Sequence, residues 1–112
     1  MFTYNIEYRQ NVLFFRLIGN LNKNNIKKID EELNNIINCL GIYNIVFNFE
    51  ELNTIDSDSI QVIINWYNLI KQRKGVSLVC GLHGAIKQGD LLKNTKEISN
   101  ELSAIRVIKW NN

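Results

Sequence analysis

Between Tyr43 and Ile70 the chain switches periodicity, and this switch restricts the folds open to it. An apolar alternating run, Ile45-Val46-Phe47-Asn48-Phe49, leads into a polar turn, Glu50-Glu51-Leu52-Asn53-Thr54. Ile55-Asp56-Ser57-Asp58-Ser59 follows, and then an apolar-rich stretch to Ile70. Such a succession reads as a buried strand, a loop and a helix start. The first turn of a helix has backbone N–H groups without intrahelical partners and a partial positive charge. Asp56, Ser57, Asp58 and Ser59 all carry side chains that cap such an end. Two readings of the cluster stand. It is an N-cap with more candidates than it needs, or it displays a serine at the end of a strand, where a partner or a kinase reaches it.

The flanking segments extend the alternation of strands and helices. Phe2, Tyr4, Ile6 and Tyr8 alternate as in a half-exposed strand, Arg9-Gln10-Asn11 is a turn, and Val12 to Ile18 is a second strand antiparallel to the first. Gly19 to Lys23 turns the chain. Asn22 is placed to cap a helix ending near Leu40, with Ile26, Ile29, Leu33, Ile36, Ile37 and Leu40 on one face and a charged face opposite. Tyr43 to Phe49 is expected to be a central strand, parallel to a later one. The second helix spans Ser57 to Arg73. Its Ile60, Ile63, Ile64 and Tyr67 form a core stripe, and Val62, Trp66 and Leu69 form a second stripe nearly opposite. That second stripe is either covered by a neighbouring element or exposed for a partner or a homodimer contact.

Gly75 ends this helix and Val76 to Leu82 is a further strand. Ala85 to Glu101 is weakly helical, with a break expected at Gly89-Asp90. Ala104 to Lys109 reads as a last strand, because Ile105, Val107 and Ile108 are β-branched. The competing reading makes Asn100 to Lys109 a helix, through Leu102, Ile105 and Ile108. The order β-β-α-β-α-β-α-β predicts a single α/β domain over residues 1–112. Its mixed sheet has helices packed mainly on one face and right-handed crossovers between parallel strands.

The run Asn48-Phe49-Glu50-Glu51-Leu52-Asn53-Thr54-Ile55-Asp56-Ser57 resembles the central motif of STAS domains, specifically bacterial anti-sigma factor antagonists. In that family a strand ends in Asp/Asn-Leu, and after a short loop Asp-Ser-Ser/Thr-Gly opens a helix. Gly19-Asn20-Leu21-Asn22 is similar to the family's turn after its second strand, and Val76 to Leu82 to its fourth strand; residues 8–93 follow the pattern. The resemblance implies a STAS-like fold and a regulatory protein that binds an anti-sigma factor kinase, freeing a sigma factor. It also implies phosphorylation at the first serine of the Asp-Ser core, which is Ser57 here, with Asp56 orienting the hydroxyl or the kinase's catalytic groups. Asp58 replaces the second Ser/Thr of the pattern, and Ser59 and Gln61 stand where small glycines are expected. These departures favour an alternative, a STAS scaffold or subunit of a larger regulatory or transport assembly without phosphorylation. The expected partner surface comprises Asp56, Ser57, Asp58, Ser59, Val62, Trp66 and Leu69.

Composition excludes several other classes. The net charge of +2 is too small to argue for nucleic acid, and no basic run interleaves with aromatics. No apolar run approaches membrane-spanning length, and the N-terminus lacks a signal-peptide pattern, so a cytoplasmic protein is expected. There is no nucleophile–base constellation, metal-ligand cluster or glycine-rich phosphate loop, so neither catalysis nor a cofactor is expected. His83 is a lone loop histidine. Cys39, on the apolar side of a helix, and Cys80, inside a strand, are both expected to be buried, reduced and unpaired.

Overall fold

The computed structural model describes residues 1–86 and 89–111. Strands β1 (Phe2–Arg9) and β2 (Val12–Leu21) form an antiparallel hairpin. Gln10 and Asn11 close it with both φ angles positive, 53° and 71°, the two-residue turn that matches strand twist. Helix α1 (Ile26–Asn38) leads to β3 (Asn44–Asn48), which pairs parallel with β2. Strand β4 (Leu52–Ile55), helix α2 (Ser57–Gln72) and strand β5 (Val76–Cys80) follow. A 3-10 turn (Gly84–Ile86), α3 (Gly89–Asn94) and α4 (Glu101–Asn111) complete the described chain. The sheet order is β1-β2-β3-β5, with β4 also on β2.

The central strands β2, β3 and β5 are largely apolar on both faces, as strands covered on both sides must be, whereas β1 and β4 are half exposed. On one face Leu13, Phe15, Leu17, Ile45, Phe47 and Val79 meet the buried stripes of α1 and α2. On the other face Val12, Phe14, Val46, Leu78 and Cys80 meet Ala104, Ile105 and Ile108 of α4. The mixed α/β sheet is the one expected, with α1 and α2 on one face and α4 alone on the other.

Helix α1 starts at Ile26 with Asn25, not Asn22, at its N-cap. Three larger departures from the sequence reading stand beside it. The turn expected at Glu50–Thr54 contains β4, which pairs in parallel with Gly19, Asn20 and Leu21 after β3 has left that edge of β2. Its four residues are too few and too polar to show alternation, so tertiary pairing decides. The last strand expected at Ala104–Lys109 is a helix. Asn100 caps it, its Oδ1 accepting from the Ser103 N–H at 2.8 Å, and burial of Ala104, Ile105 and Ile108 on one face outweighs β-branched propensity. The outer edge of β5 is met instead by Lys96–Ile98, through Val79 N–H to Lys96 O and Ile98 N–H to Val79 O. Third, Gly89 begins α3 rather than breaking a helix; the part of that expected helix at residues 87 and 88 lies outside the described residues.

Cys39 is a correction as well. Helix α1 ends at Asn38, so Cys39 becomes its C-cap and is exposed, as is Leu40 beyond it. Cys80 is buried, and both thiols are free. Burial, with the nearby Glu101 charge second, pushes the Cys80 thiol up to about 12.

Candidate functional site

The carboxyl ends of β3 and β4 and the start of α2 build one corner of the molecule. Asn48 Oδ1 accepts from the Glu50 N–H at 2.9 Å, turning the chain out of β3. Gly81 crosses beside this turn at φ 77°, where a Cβ would lie 2.5 Å from the Glu50 nitrogen, so only glycine fits. Glu50 and Glu51 are exposed, while Leu52 points into the core and fixes the phase of β4. The Gly19 N–H donates to Glu51 O and the Asp56 N–H to Leu21 O, so both ends of β4 are tied to β2.

Asp56 is the N-cap of α2. Its backbone is extended, and its Oδ1 accepts from the Ser59 N–H at 2.9 Å. Its Oδ2 accepts from the Lys23 N–H at 2.8 Å, joining the loop before α1 to the start of α2. Partial desolvation works against the charged carboxylate. Hydrogen bonds from Ser59 and the Lys23 backbone, with the Lys23 charge, outweigh it and hold Asp56 below the usual carboxylate range.

Of the four capping candidates, then, Asp56 caps and the other three divide. Ser57 and Asp58 are exposed on the first turn. Ser59 is fully buried, and among the described residues its Oγ makes no hydrogen bond of good geometry, with the Asp56 carboxylate the acceptor within its reach. Its expected place on the partner surface is therefore corrected: the first turn of α2 points it inward, where the motif carries a small residue.

The Val62-Trp66-Leu69 stripe is corrected at its centre. Trp66 is 1% exposed. Its ring stacks on Phe47 with centroids 5.8 Å apart and lies tilted against Phe15 at 6.2 Å. The indole N–H donates to Asp30 Oδ1 on α1 at 2.6 Å. Helix α1 covers this side of α2, which is why the second stripe is apolar. Val62 and Leu69 are only partly buried against the same core. Val62 also lines a hollow with Lys23, Asn24, Ile26, Lys27 and Asp58, beside the start of α2. The lysines of this hollow were not singled out in the sequence, because their proximity depends on how α1 packs against α2.

A second polar cluster, not evident from the sequence, joins β1, β2, β3 and α4. Arg16 sits on β2 in alternation with Val12 and Phe14, facing α4. Its guanidinium donates to both Glu101 carboxylate oxygens, at 2.8 and 2.7 Å, and to Asn5 and Glu7 on β1. Asn48 Nδ2 donates to Glu101 Oε2 at 2.7 Å. The Arg16 bonds hold Glu101 below its usual range, while the bond to Glu101 raises Arg16 further. A lone arginine inside an apolar strand was the available signal. Among the described residues, no group of three or more His, Cys, Asp or Glu side chains is placed to hold a metal, and no helix is long and apolar enough to cross a membrane.

The STAS domain profile matches residues 3–100, nearly the whole chain. The chain belongs to the STAS domain family. An anti-sigma F factor antagonist from Paenibacillus polymyxa is 27% identical over 104 residues, covering 89% of each protein. Among solved structures, the anti-sigma factor antagonist SpoIIAA in its unphosphorylated form superposes with a TM-score of 0.81 at 16% identity, covering 96% of this chain and 98% of that one. The phosphorylated form of SpoIIAA from Bacillus gives a TM-score of 0.75 at 17% identity, covering 94% and 99%. An anti-sigma factor antagonist from Mycobacterium paratuberculosis gives 0.82 at 12% identity, covering 97% and 95%. At these identities the structural likeness establishes the STAS fold.

Proposed function

We propose that this STAS domain is a cytoplasmic anti-sigma factor antagonist, acting in bacterial transcription control by binding and not by catalysis. In the unmodified state it binds an anti-sigma factor that is also a serine kinase, and the bound sigma factor is released. Phosphorylation of Ser57 ends the complex. The observation that carries this reading is the division of the two serines: Ser57 is exposed on the first turn of α2, whereas Ser59 is fully buried. The resemblance to the family's Asp-Ser core implies the exposed serine, Ser57, as the acceptor.

The electrostatics suit a switch. A phosphate brings about −1.5 to −2 charges at neutral pH. Asp56 and Asp58 flank it, and repulsion is offset in part by the α2 N-terminus and by Lys23 and Lys27 nearby. Ser57, Asp58 and the half-covered Val62 form the surface offered to the kinase, and Asp56 holds the turn in place. Incubation with the cognate anti-sigma kinase and ATP should add one phosphate by intact mass. Ser57→Ala should abolish it, and Ser59→Ala should not.

The fixed carboxylate of Asp58 favours a second reading, a STAS scaffold that binds without modification. A tight complex with the kinase in which wild-type protein gains no phosphate would select it.

A further inference from the structure

We propose that α4 is a latch that opens as a unit while the rest of the domain stays folded, uncovering the apolar sheet face beneath it. Three observations carry this. First, the sheet separates two cores. Helices α1 and α2 bury their side chains in one cluster; among the described residues, α4 contributes Ala104, Ile105 and Ile108 to the other, with Val107 partly buried against it. Losing the α4 contacts leaves the first cluster whole, the condition for a sub-global opening.

Second, the N-terminal end of α4 is held mainly by charge. The sheet positions facing it change along the strands from Val12, Phe14, Val46 and Leu78 to Arg16, Asn48 and the small Cys80. Among the described residues, Glu101 is the α4 side chain bonded to Arg16 and Asn48, and Leu102 beside it is 60% exposed. A cleft of about 810 Å³ opens at this end, bounded by Glu101 and Leu102 on α4 and by Cys80 and Leu82 across from them. Water therefore already reaches the tie that must break first.

Third, the segment before α4 is pinned and then released. Lys96 and Ile98 are bonded to Val79 of β5, whereas Ser99 and Asn100 are exposed. Opening can thus swing about residues 99–100 without disturbing β5.

Cys80 reports the event, because it lies under α4 at 2% exposure while Cys39 is exposed and serves as an internal reference. The test is peptide-resolved alkylation of the native full-length protein by a polar thiol reagent, comparing wild type with three variants. Glu101→Gln should speed Cys80 labelling about tenfold, in line with losing a charge-assisted hydrogen bond, with the Cys39 rate unchanged; rates are compared per thiolate from pH–rate profiles, because losing the Glu101 charge by itself makes the Cys80 thiol more acidic. Ile108→Val, which trims one methyl from the α4 contact, should speed it a few-fold. Ile63→Ala, a cut in the other core, should lower the melting temperature and leave the Cys80 rate at the wild-type value. Acceleration by Ile63→Ala would mean that Cys80 is reached only through global unfolding. No response to Glu101→Gln or to Ile108→Val would mean that reagent enters through the cleft with α4 in place. Either result overturns the latch.

Discussion

Replacing Trp66 by alanine tests the packing of α2 between sheet and α1. The side chain is 1% exposed, flanked by Phe47 and Phe15, and its indole N–H is bonded to Asp30. Truncating a buried Trp to Ala costs about 3–5 kcal/mol from lost transfer energy and the cavity left behind. Asp30 adds little to this, because its Oδ1 keeps the bond from Asn34 and the residue is only partly buried. For a domain of this size a kcal/mol moves the melting temperature by about 4 °C, so a fall of about 12–20 °C is expected. Against a typical total stability of about 5–15 kcal/mol, the variant is close to unfolding at growth temperature. Trp66→Phe separates the components. It keeps most of the apolar contact and loses the indole donor, so about 1 kcal/mol, or about 4 °C, is expected. Thermal melts followed by circular dichroism, with urea titrations beside them, measure both. A Trp66→Ala protein that melts within about 2 °C of wild type but binds its partner poorly would refute the reasoning and return Trp66 to the surface.

Other consequences are equally open to measurement. Ser59→Ala removes a buried hydroxyl without a hydrogen bond of good geometry, so urea unfolding should show a stability unchanged or higher by up to about 1 kcal/mol; a loss above that would reveal a bond the hydroxyl makes. Asp56→Ala deletes the α2 cap and orphans the Lys23 N–H, and should cost about 1–2 kcal/mol in the same assay. The carboxyls of Asp56 and Glu101 both titrate below their ordinary values of 3.8 and 4.5 in the folded protein. Their contribution is therefore complete above the ordinary carboxylate range and is lost as pH falls through the depressed values. The urea midpoint should drop on acidification from neutral pH to about pH 3, and Glu101→Gln should drop less than wild type; an equal drop would show that Glu101 carries none of it.

The parts of the fold that could be read from sequence are those where a periodic pattern runs long enough. The α1 stripe from Ile26 to Ile37, the run Ile45–Phe49 and the start of α2 at Asp56 are such cases, and each lies where expected; Leu40 falls beyond the end of α1 and is exposed. Strand β4 could not be read, since Leu52 alone carries the core-facing signal and the partner edge lies on Gly19–Leu21. In α4 two local signals conflict, β-branched residues against the helical spacing of the reading that starts at Asn100, and the Asn100 cap with burial of one face decides for the helix. A helical wheel shows which faces of α2 are apolar but not how many neighbours cover them, so it leaves the Trp66 stripe either covered or exposed to a partner. The same limit applies to the site. Asp56 and Ser57 were legible as a cap and an exposed serine, whereas the burial of Ser59 and the approach of Lys23 depend on distant chain segments.

In the proposed function a phosphate on Ser57 switches partner binding. The direct measurement is the dissociation constant of the complex with the anti-sigma kinase, for the unmodified protein and for protein phosphorylated only on Ser57. Burying an added dianion between Asp56 and Asp58 at the contact should cost at least about 2 kcal/mol, a weakening of about thirtyfold or more. Equal affinity of the two forms would contradict the account and leave a STAS domain that binds without a switch.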